Sequence, residues 1–414
     1  DDLKAAVNFK LMGEQNPGAS LWERAKKVCE TYRTDSMRLK SPEEIREMVD
    51  LTGERTFVWE IVRENGQRMW LRSFDSDAFT PYPYETETTA ALKRFLMKVP
   101  KVGCVEGYGM RSIFDRTARG YAVIAGDKKF RQSLLNQGFD VEEVRLDKQV
   151  PEHINIVVIS DMREWLTPAE EANLQQYIDR GGNLFILGEP KRRDVMNPLF
   201  AKFGFEMTEG VLVKQDTNLQ ADVILSYPTK EAADSIAYDF GTMRRYRMVM
   251  STPSVAGLEQ IADKGYKVTT MFKTDTIGVW NELETTDFID DTIRLNPAIG
   301  EVEKTYSTAV ALSRKVGDKE QKIILTGDAD CISNGEFGRR VPTVRTSNYT
   351  LVTGGFFWLS DGEVPIDVRR PPLPDDKVYV AKTGAWIIKW SFTLLIPLLL
   401  AAAGVLIWIR RKGR

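Results

Sequence analysis

The feature that most constrains this chain lies near its C-terminus. From Trp390 to Ile409 the sequence reads WSFTLLIPLLLAAAGVLIWI, with no charged residue. At 1.5 Å per residue a helix of that length spans about 30 Å, the thickness of a hydrocarbon core. Trp390 and Trp408 mark its two ends, where amphipathic rings prefer the membrane interface. Pro397 and Gly404 would weaken a soluble helix but are tolerated within a bilayer. Arg410, Arg411, Lys412 and Arg414 follow directly. Cytoplasmic flanks are enriched in Lys and Arg, so residues 410–414 are expected inside and the long segment before the span outside. A domain outside the cytoplasm needs an export signal. The chain starts at Asp1 without one, so it is expected to be the C-terminal portion of a longer protein.

Composition removes several function classes. Lys and Arg (57) nearly balance Asp and Glu (59), leaving no basic excess for nucleic acid. His153 is the single histidine, which excludes two-histidine metal motifs. Cys29, Cys104 and Cys331 are too few and too scattered for a disulfide framework or a zinc ribbon. Nothing reads G-x-x-x-x-G-K-[ST], so the chain has no P-loop with which to hydrolyse ATP. Gly107-Tyr108-Gly109 lacks the third glycine and acidic partner of a dinucleotide fingerprint, and it reads as a turn. No cofactor is expected.

Residues 1–90 form one region. Leu21–Tyr32 has helical apolar spacing, and Ser41-Pro42-Glu43-Glu44 has the punctuation of a helix start. Phe57–Val62 and Arg68–Phe74 read as strands around Asn65-Gly66, a hairpin signal. Residues 91–368 then alternate strand and helix. The apolar runs Lys101–Val105, Ile154–Ser160 and Asn183–Leu187 suit buried parallel strands. Val141–Leu146 is a further strand, and Asp127–Gln137 is expected as one helix ended by Gly138. Thr167-Pro168 with Glu170 is a capping box that opens a helix closed by Gly181-Gly182. Strand, capped helix and strand make a βαβ unit, so the expected fold is α/β: a flavodoxin-like (amidotransferase-like), mostly parallel open sheet with helices on both faces. Residues 210–315 are less regular and β-rich, and they read as an insertion or an extension on the sheet. Lys322–Leu325 is another buried strand, and Ser347–Leu359 a final soluble helix whose Gly354-Gly355 implies close packing. Residues 369–389, containing Pro371, Pro372 and Pro374, are expected as a linker to the span at 390–409.

Several segments together carry a resemblance. Lys322–Asn334 resembles a strand followed by G-D-x-D-x-x-S-N, and it precedes a helix ending Phe357-Trp358-Leu359-Ser360 and an arginine-closed span. With Lys101–Gly109 and Thr167–Leu187, the chain resembles the GldG family over about residues 85–414. Those proteins are auxiliary, substrate-binding-like components of ABC-2 type transporters, named from the gliding-motility apparatus. The resemblance implies a bacterial inner-membrane protein whose extracytoplasmic domain works beside a permease and an ATPase. It also implies that residues 1–85 end a thioredoxin-like region.

Two chemistries deserve weighing. A membrane-anchored amidotransferase-like hydrolase would need a nucleophile in a G-x-C-x-G elbow. Gly103-Cys104-Val105-Glu106-Gly107 misses that spacing, places Cys104 inside a buried run and offers no base nearby. Ligands of open parallel sheets bind beyond the C-terminal strand ends. Glu106, Asp161, Glu189, Asp328 and Asp330 fall there, with Lys191, Arg192 and Arg193 close in sequence. These acids form a pocket for a polar ligand or divalent cation, or else they cap helices and satisfy turn amides. The function expected is a non-catalytic, membrane-anchored accessory subunit that binds substrate or a partner.

Overall fold

The computed structural model describes residues 83–370 except 217, 340, 342 and 343, together with residues 380–413. In the N-terminal region it describes residues 18–20, 42–50 and 59–71 and the positions 23, 24, 26, 27, 30 and 52. The expected helix over Leu21–Tyr32 therefore lies largely outside the described residues, as does Cys29. The chain divides into two units, Asp1–Asp367 and Val368–Arg414. Trp59–Val62 and Arg68–Leu71 pair antiparallel, with Val62 opposite Arg68. Gly66 supplies the positive φ of +82° that this hairpin turn requires.

The first unit is built on a twelve-stranded sheet. Its strands are β1 (Lys101–Val105), β2 (Asp140–Val144), β3 (Ile156–Ser160), β4 (Asn183–Leu187), β5 (Phe205–Met207), β7 (Val223–Pro228), β8 (Met248–Pro253), β9 (Leu258–Gln260), β10 (Lys267–Lys273), β12 (Ser307–Val316), β13 (Lys319–Thr326) and β14 (Arg345–Thr346). The strands β6 (Val211–Lys214) and β11 (Val279–Glu282) form a separate antiparallel pair. Along one half the order is β2-β1-β3-β4-β13, with every neighbour parallel. This half holds the apolar runs. All five residues of β3 are buried, as are four of five in β1 and β4. Strands covered on both faces need that continuous apolar character.

The other half is antiparallel. Strand β13 pairs antiparallel with β12, which continues through β10 and β7 to β8, and β14 closes the edge parallel to β8. Of the two readings of residues 210–315, insertion or extension, the strands here are an extension: they contribute much of the second half of the same sheet. The β12–β13 hairpin has a two-residue turn, Gly317-Asp318, with Gly317 at φ +60°. A Gly-led two-residue loop is a hairpin signal that strand lengths alone had hidden.

Alternate residues divide between two cores. Leu184, Ile186, Ile323 and Leu325 pack with Leu174, Tyr177 and Ile178 of the Pro168–Asp179 helix and with Phe200 of the Arg193–Ala201 helix. Phe185, Leu187 and Ile324 point the other way, to Phe240, Leu351, Val352 and Phe356. Helices therefore cover both faces. The Thr167 capping box forms as expected, with Thr167 Oγ1 accepting from the Glu170 amide and Glu170 Oε2 accepting from the Thr167 amide at 2.8 Å. The single helix expected over Asp127–Gln137 is replaced by Ala122–Gly126, a turn, and Leu134–Gln137. Ser133 starts the second piece by accepting from the Asn136 amide, and Gly138 ends it at φ +104°. The final soluble helix is Tyr349–Leu359. A Cβ at Gly354 would sit 3.0 Å from the Phe240 ring, and one at Gly355 would sit 3.1 Å from Ile324 Cδ1, which accounts for both glycines.

The second unit contains one helical run, Lys382–Lys412, long and apolar enough to cross a membrane. It begins inside the segment expected as linker. Pro397 has no N–H for the carbonyl of Thr393, and its ring crowds that carbonyl. The turn before it, Ser391–Leu395, is widened to a π-helix, a common response to such a defect.

Where β13 leaves the sheet, Gly327 donates to Thr308 O and accepts from Ala256 N. A Cβ there would lie 2.0 Å from the Ala256 carbonyl oxygen, and backbone cannot yield. Gly327→Ala is expected to lower stability by about 1–3 kcal/mol in urea melts of the detergent-solubilised chain. Gly126→Ala, with nothing within 4 Å of the added methyl, serves as the control and is expected to change little.

Candidate functional site

The parallel strands β1, β3, β4 and β13 end side by side, and the residues just beyond them meet around one arginine. Arg111, in the loop after β1, is 3% exposed. Its Nη1 lies 2.5 Å from Asp330 Oδ1, and its Nη2 lies 3.5 Å from Asp161 Oδ2 and 3.7 Å from Glu189 Oε2. These three carboxylates follow β13, β3 and β4 respectively. Asp161 is fully buried at φ +50°, and its amide donates to Leu187 O, fixing it between neighbouring strands. Two more guanidinium groups reach it: Arg119 Nη2 at 2.8 Å and Arg163 Nη2 at 3.0 Å. Buried charges persist only when paired in this way.

The expected carboxylate cluster is therefore partly assembled. Asp161, Glu189 and Asp330 converge. Asp328 lies buried beneath them, its Oδ1 accepting from the Asp330 amide and its Oδ2 without a partner. Burial, reinforced by the charges of Asp330 and Glu189, pushes the Asp328 carboxyl well above its ordinary range. Glu106 does not join the others. It is half-exposed, and its nearest recorded charge is Arg145, 4.0 Å away. Glu189 is pushed up to about 7, first by burial and then by Asp161 and Asp330, with Arg111 opposing.

Above this hub is a cleft of about 440 Å³. Its lining includes Arg111, Arg119, Arg163, Lys191, Arg192 and Arg339 against the carboxylates Glu189, Asp330 and Glu336. Of the three basic residues singled out after β4, Lys191 and Arg192 line it, whereas Arg193 pairs with Glu209 at 3.1 Å. Glu336 is tied to Arg339 Nε at 2.6 Å and to the Ser251 hydroxyl. Sequence reasoning missed Arg111, Arg119 and Arg163. The signal available was indirect: acids at the ends of buried strands require counter-charges. The cluster suits anionic oxygen groups better than a divalent cation, since guanidinium groups already occupy the acidic oxygens a cation would need.

Elsewhere among the described residues, Glu282, Glu284 and Glu301 bring carboxylate oxygens within 4.8 Å of one another. Glu301 accepts from the amides of Leu283 and Asn296, and Glu282 from those of Glu284 and Thr285. These acids hold a loop together. Cys104 is buried within β1, and burial, then the Glu143 charge, pushes its thiol up to about 12. Cys331 is also buried, with Sγ donating to Asp328 O. His153 lies before β3, at the opposite end of the strands from the cleft, with Nε2 2.8 Å from Glu142.

Two measurements examine this site. Arg111→Met leaves Glu189 and Asp330 without their shared cation, while Asp161 keeps Arg119 and Arg163, and is expected to cost about 3–5 kcal/mol in chemical denaturation. The second concerns pH. A carboxyl whose folded pKa exceeds its unfolded value opposes folding once it ionises. For Glu189 that cost is absent below about 4.5, grows as pH rises toward about 7 and is complete above it. Glu189→Gln is expected to raise the melting temperature at pH 8 relative to the parent and to leave it nearly unchanged at pH 5. Equal differences at both pH values would refute this assignment.

Among solved structures, the mmIFT52 N-terminal domain is similar at a TM-score of 0.42 and 13% identity, covering 64% of this chain and 98% of that one. A putative ThuA-like protein from Parabacteroides merdae is similar at a TM-score of 0.34 and 10% identity, covering 67% and 94%. No curated protein matches the chain. Residues 99–353 match the family described as an ABC-type uncharacterized transport system, so the chain belongs to that family of auxiliary components.

Proposed function

We propose that this chain is a GldG-like, non-catalytic accessory subunit of an ABC-2 type transport system, working beside a permease and an ATPase. Its first unit lies outside the cytoplasm of a bacterial inner membrane and binds substrate or a partner protein. The span at Trp390–Ile409 anchors it, with Arg410 and Arg411 on the cytoplasmic side. A role in gliding motility or export belongs to the same reading, as do a flavodoxin-like parallel half, for which the β2-β1-β3-β4 order speaks, and a thioredoxin-like N-terminal region.

One observation carries the binding role: Asp161, Glu189 and Asp330 from three strand ends converge on buried Arg111 beneath an open cleft. Open parallel sheets use that edge for ligands. Glu106 and Asp328 stand outside the binding surface in this reading. The hydrolase alternative finds less support. Nucleophilic attack requires a thiolate, and Cys104 is buried mid-strand with its pKa raised to about 12.

Affinity capture of the tagged chain from its native membrane is expected to recover a permease and an ATPase. Protease added to spheroplasts is expected to digest the first unit, while a tag placed after Arg414 stays protected. Digestion of the first unit only in inverted vesicles would reverse the topology and end the export-accessory reading.

A further inference from the structure

The cleft at the strand ends has an imbalance of charge that its own contacts leave standing. Six cationic side chains line it against three carboxylates. Arg119 and Arg163 are paired with Asp161, and Arg339 with Glu336. Lys191 and Arg192 have no ion-pair partner among the described residues, although both line the cleft. Arg111 and Arg119 each bury an Nε–H that has no acceptor. Unmet buried donors cost free energy, so the two arginines add to the excess of donor capacity at this edge.

The donors come from four separate segments: the loop after β1 (Arg111, Arg119), the turn after β3 (Arg163), the Pro190–Arg192 turn after β4, and the segment after β13 (Arg339). A planar carboxylate carries one charge and is satisfied by one or two forks. A tetrahedral dianion offers three oxygens to donors converging from several walls. We infer that the cleft binds a phosphate-type dianion borne by a small molecule, gripped chiefly by Lys191 and Arg192 with Arg111 and Arg119 at its wall. This rests on the assignment of the cleft as the binding site and narrows its ligand class. Near pH 7 the partial protonation of Glu189 lowers the negative charge facing such a ligand.

Calorimetry on the detergent-solubilised full chain tests this, with inorganic pyrophosphate and citrate as probes. Pyrophosphate is expected to bind, and to bind more weakly as salt is raised. Lys191→Ala and Arg192→Ala are each expected to weaken it by about tenfold, with the melting temperature of the free protein unchanged. Lys191→Arg is expected to retain binding. No pyrophosphate binding, binding as tight as the parent's in both alanine variants, or tighter binding of citrate would each overturn the inference. Loss of anion binding with permease and ATPase still recovered would refute the ligand class alone. Anion binding without those partners would refute the transport role alone.

Discussion

The ion cluster around Arg111 is the interaction on which the site depends. A guanidinium this deeply buried is tolerable only among carboxylates, and the buried Asp161 is tolerable only among guanidinium groups, Arg111, Arg119 and Arg163. Each partner comes from a different strand end: Asp161 from β3, Glu189 from β4 and Asp330 from β13, with Arg111 supplied by the loop after β1. The cluster therefore clips together the C-terminal edge of the parallel half. The strand order makes this possible, because β1, β3, β4 and β13 are successive neighbours. Fold and site thus specify one another. Polar loops alone would leave this edge free to open, whereas a shared buried counter-ion penalises any strand that moves away.

What was legible in the sequence was local. The β-branched run of β3 identified a strand covered on both faces, and Thr167, Pro168 and Glu170 marked a helix start that formed as written. Gly354 and Gly355 announced close packing, which Phe240 and Ile324 supply. The failure at Asp127–Gln137 was local too. Phe130 and Leu134 have helical spacing, but Asp127 Oδ1 accepts from the Lys129 amide and Ser133 opens a fresh turn, so the backbone is punctuated twice. Side chains that compete for backbone amides override apolar periodicity.

What was not legible was long-range. Arg111 and Asp330 are separated by 219 positions, and nothing in the spacing of either announces the other. Five acids at strand ends looked alike in sequence, yet one is half-exposed beside Arg145, one is buried under the site and three meet at Arg111. Burial of the counter-charges decided between them, and burial is a property of the assembled sheet. The same is true of residues 210–315, whose strands find partners only across long separations, as Phe272 does with Pro228 and Ala309.

That antiparallel half is more than an extension of the sheet. Pro253 and Ser254, at the end of β8, form part of the cleft wall opposite the parallel strand ends. Ser254 is held at φ +52° with its hydroxyl donating to Asp222, and Ala256 N donates to Gly327 O beside the β13 terminus. Asn348 ties β8 to the turn holding Cys331, with Nδ2 donating to both Ser251 O and Cys331 O at 2.7 Å. These bonds brace the segment that carries Pro253 and Ser254 against the end of β13 and the turn that follows it. A parallel half alone would present an edge of paired charges on a nearly flat rim. The antiparallel half adds Pro253 and Ser254 to the wall of the open cleft that Lys191 and Arg192 also line. The two halves of the sheet therefore divide the work: the parallel half brings Asp161 and Glu189 to Arg111, and the antiparallel half braces one wall of the cleft beside them.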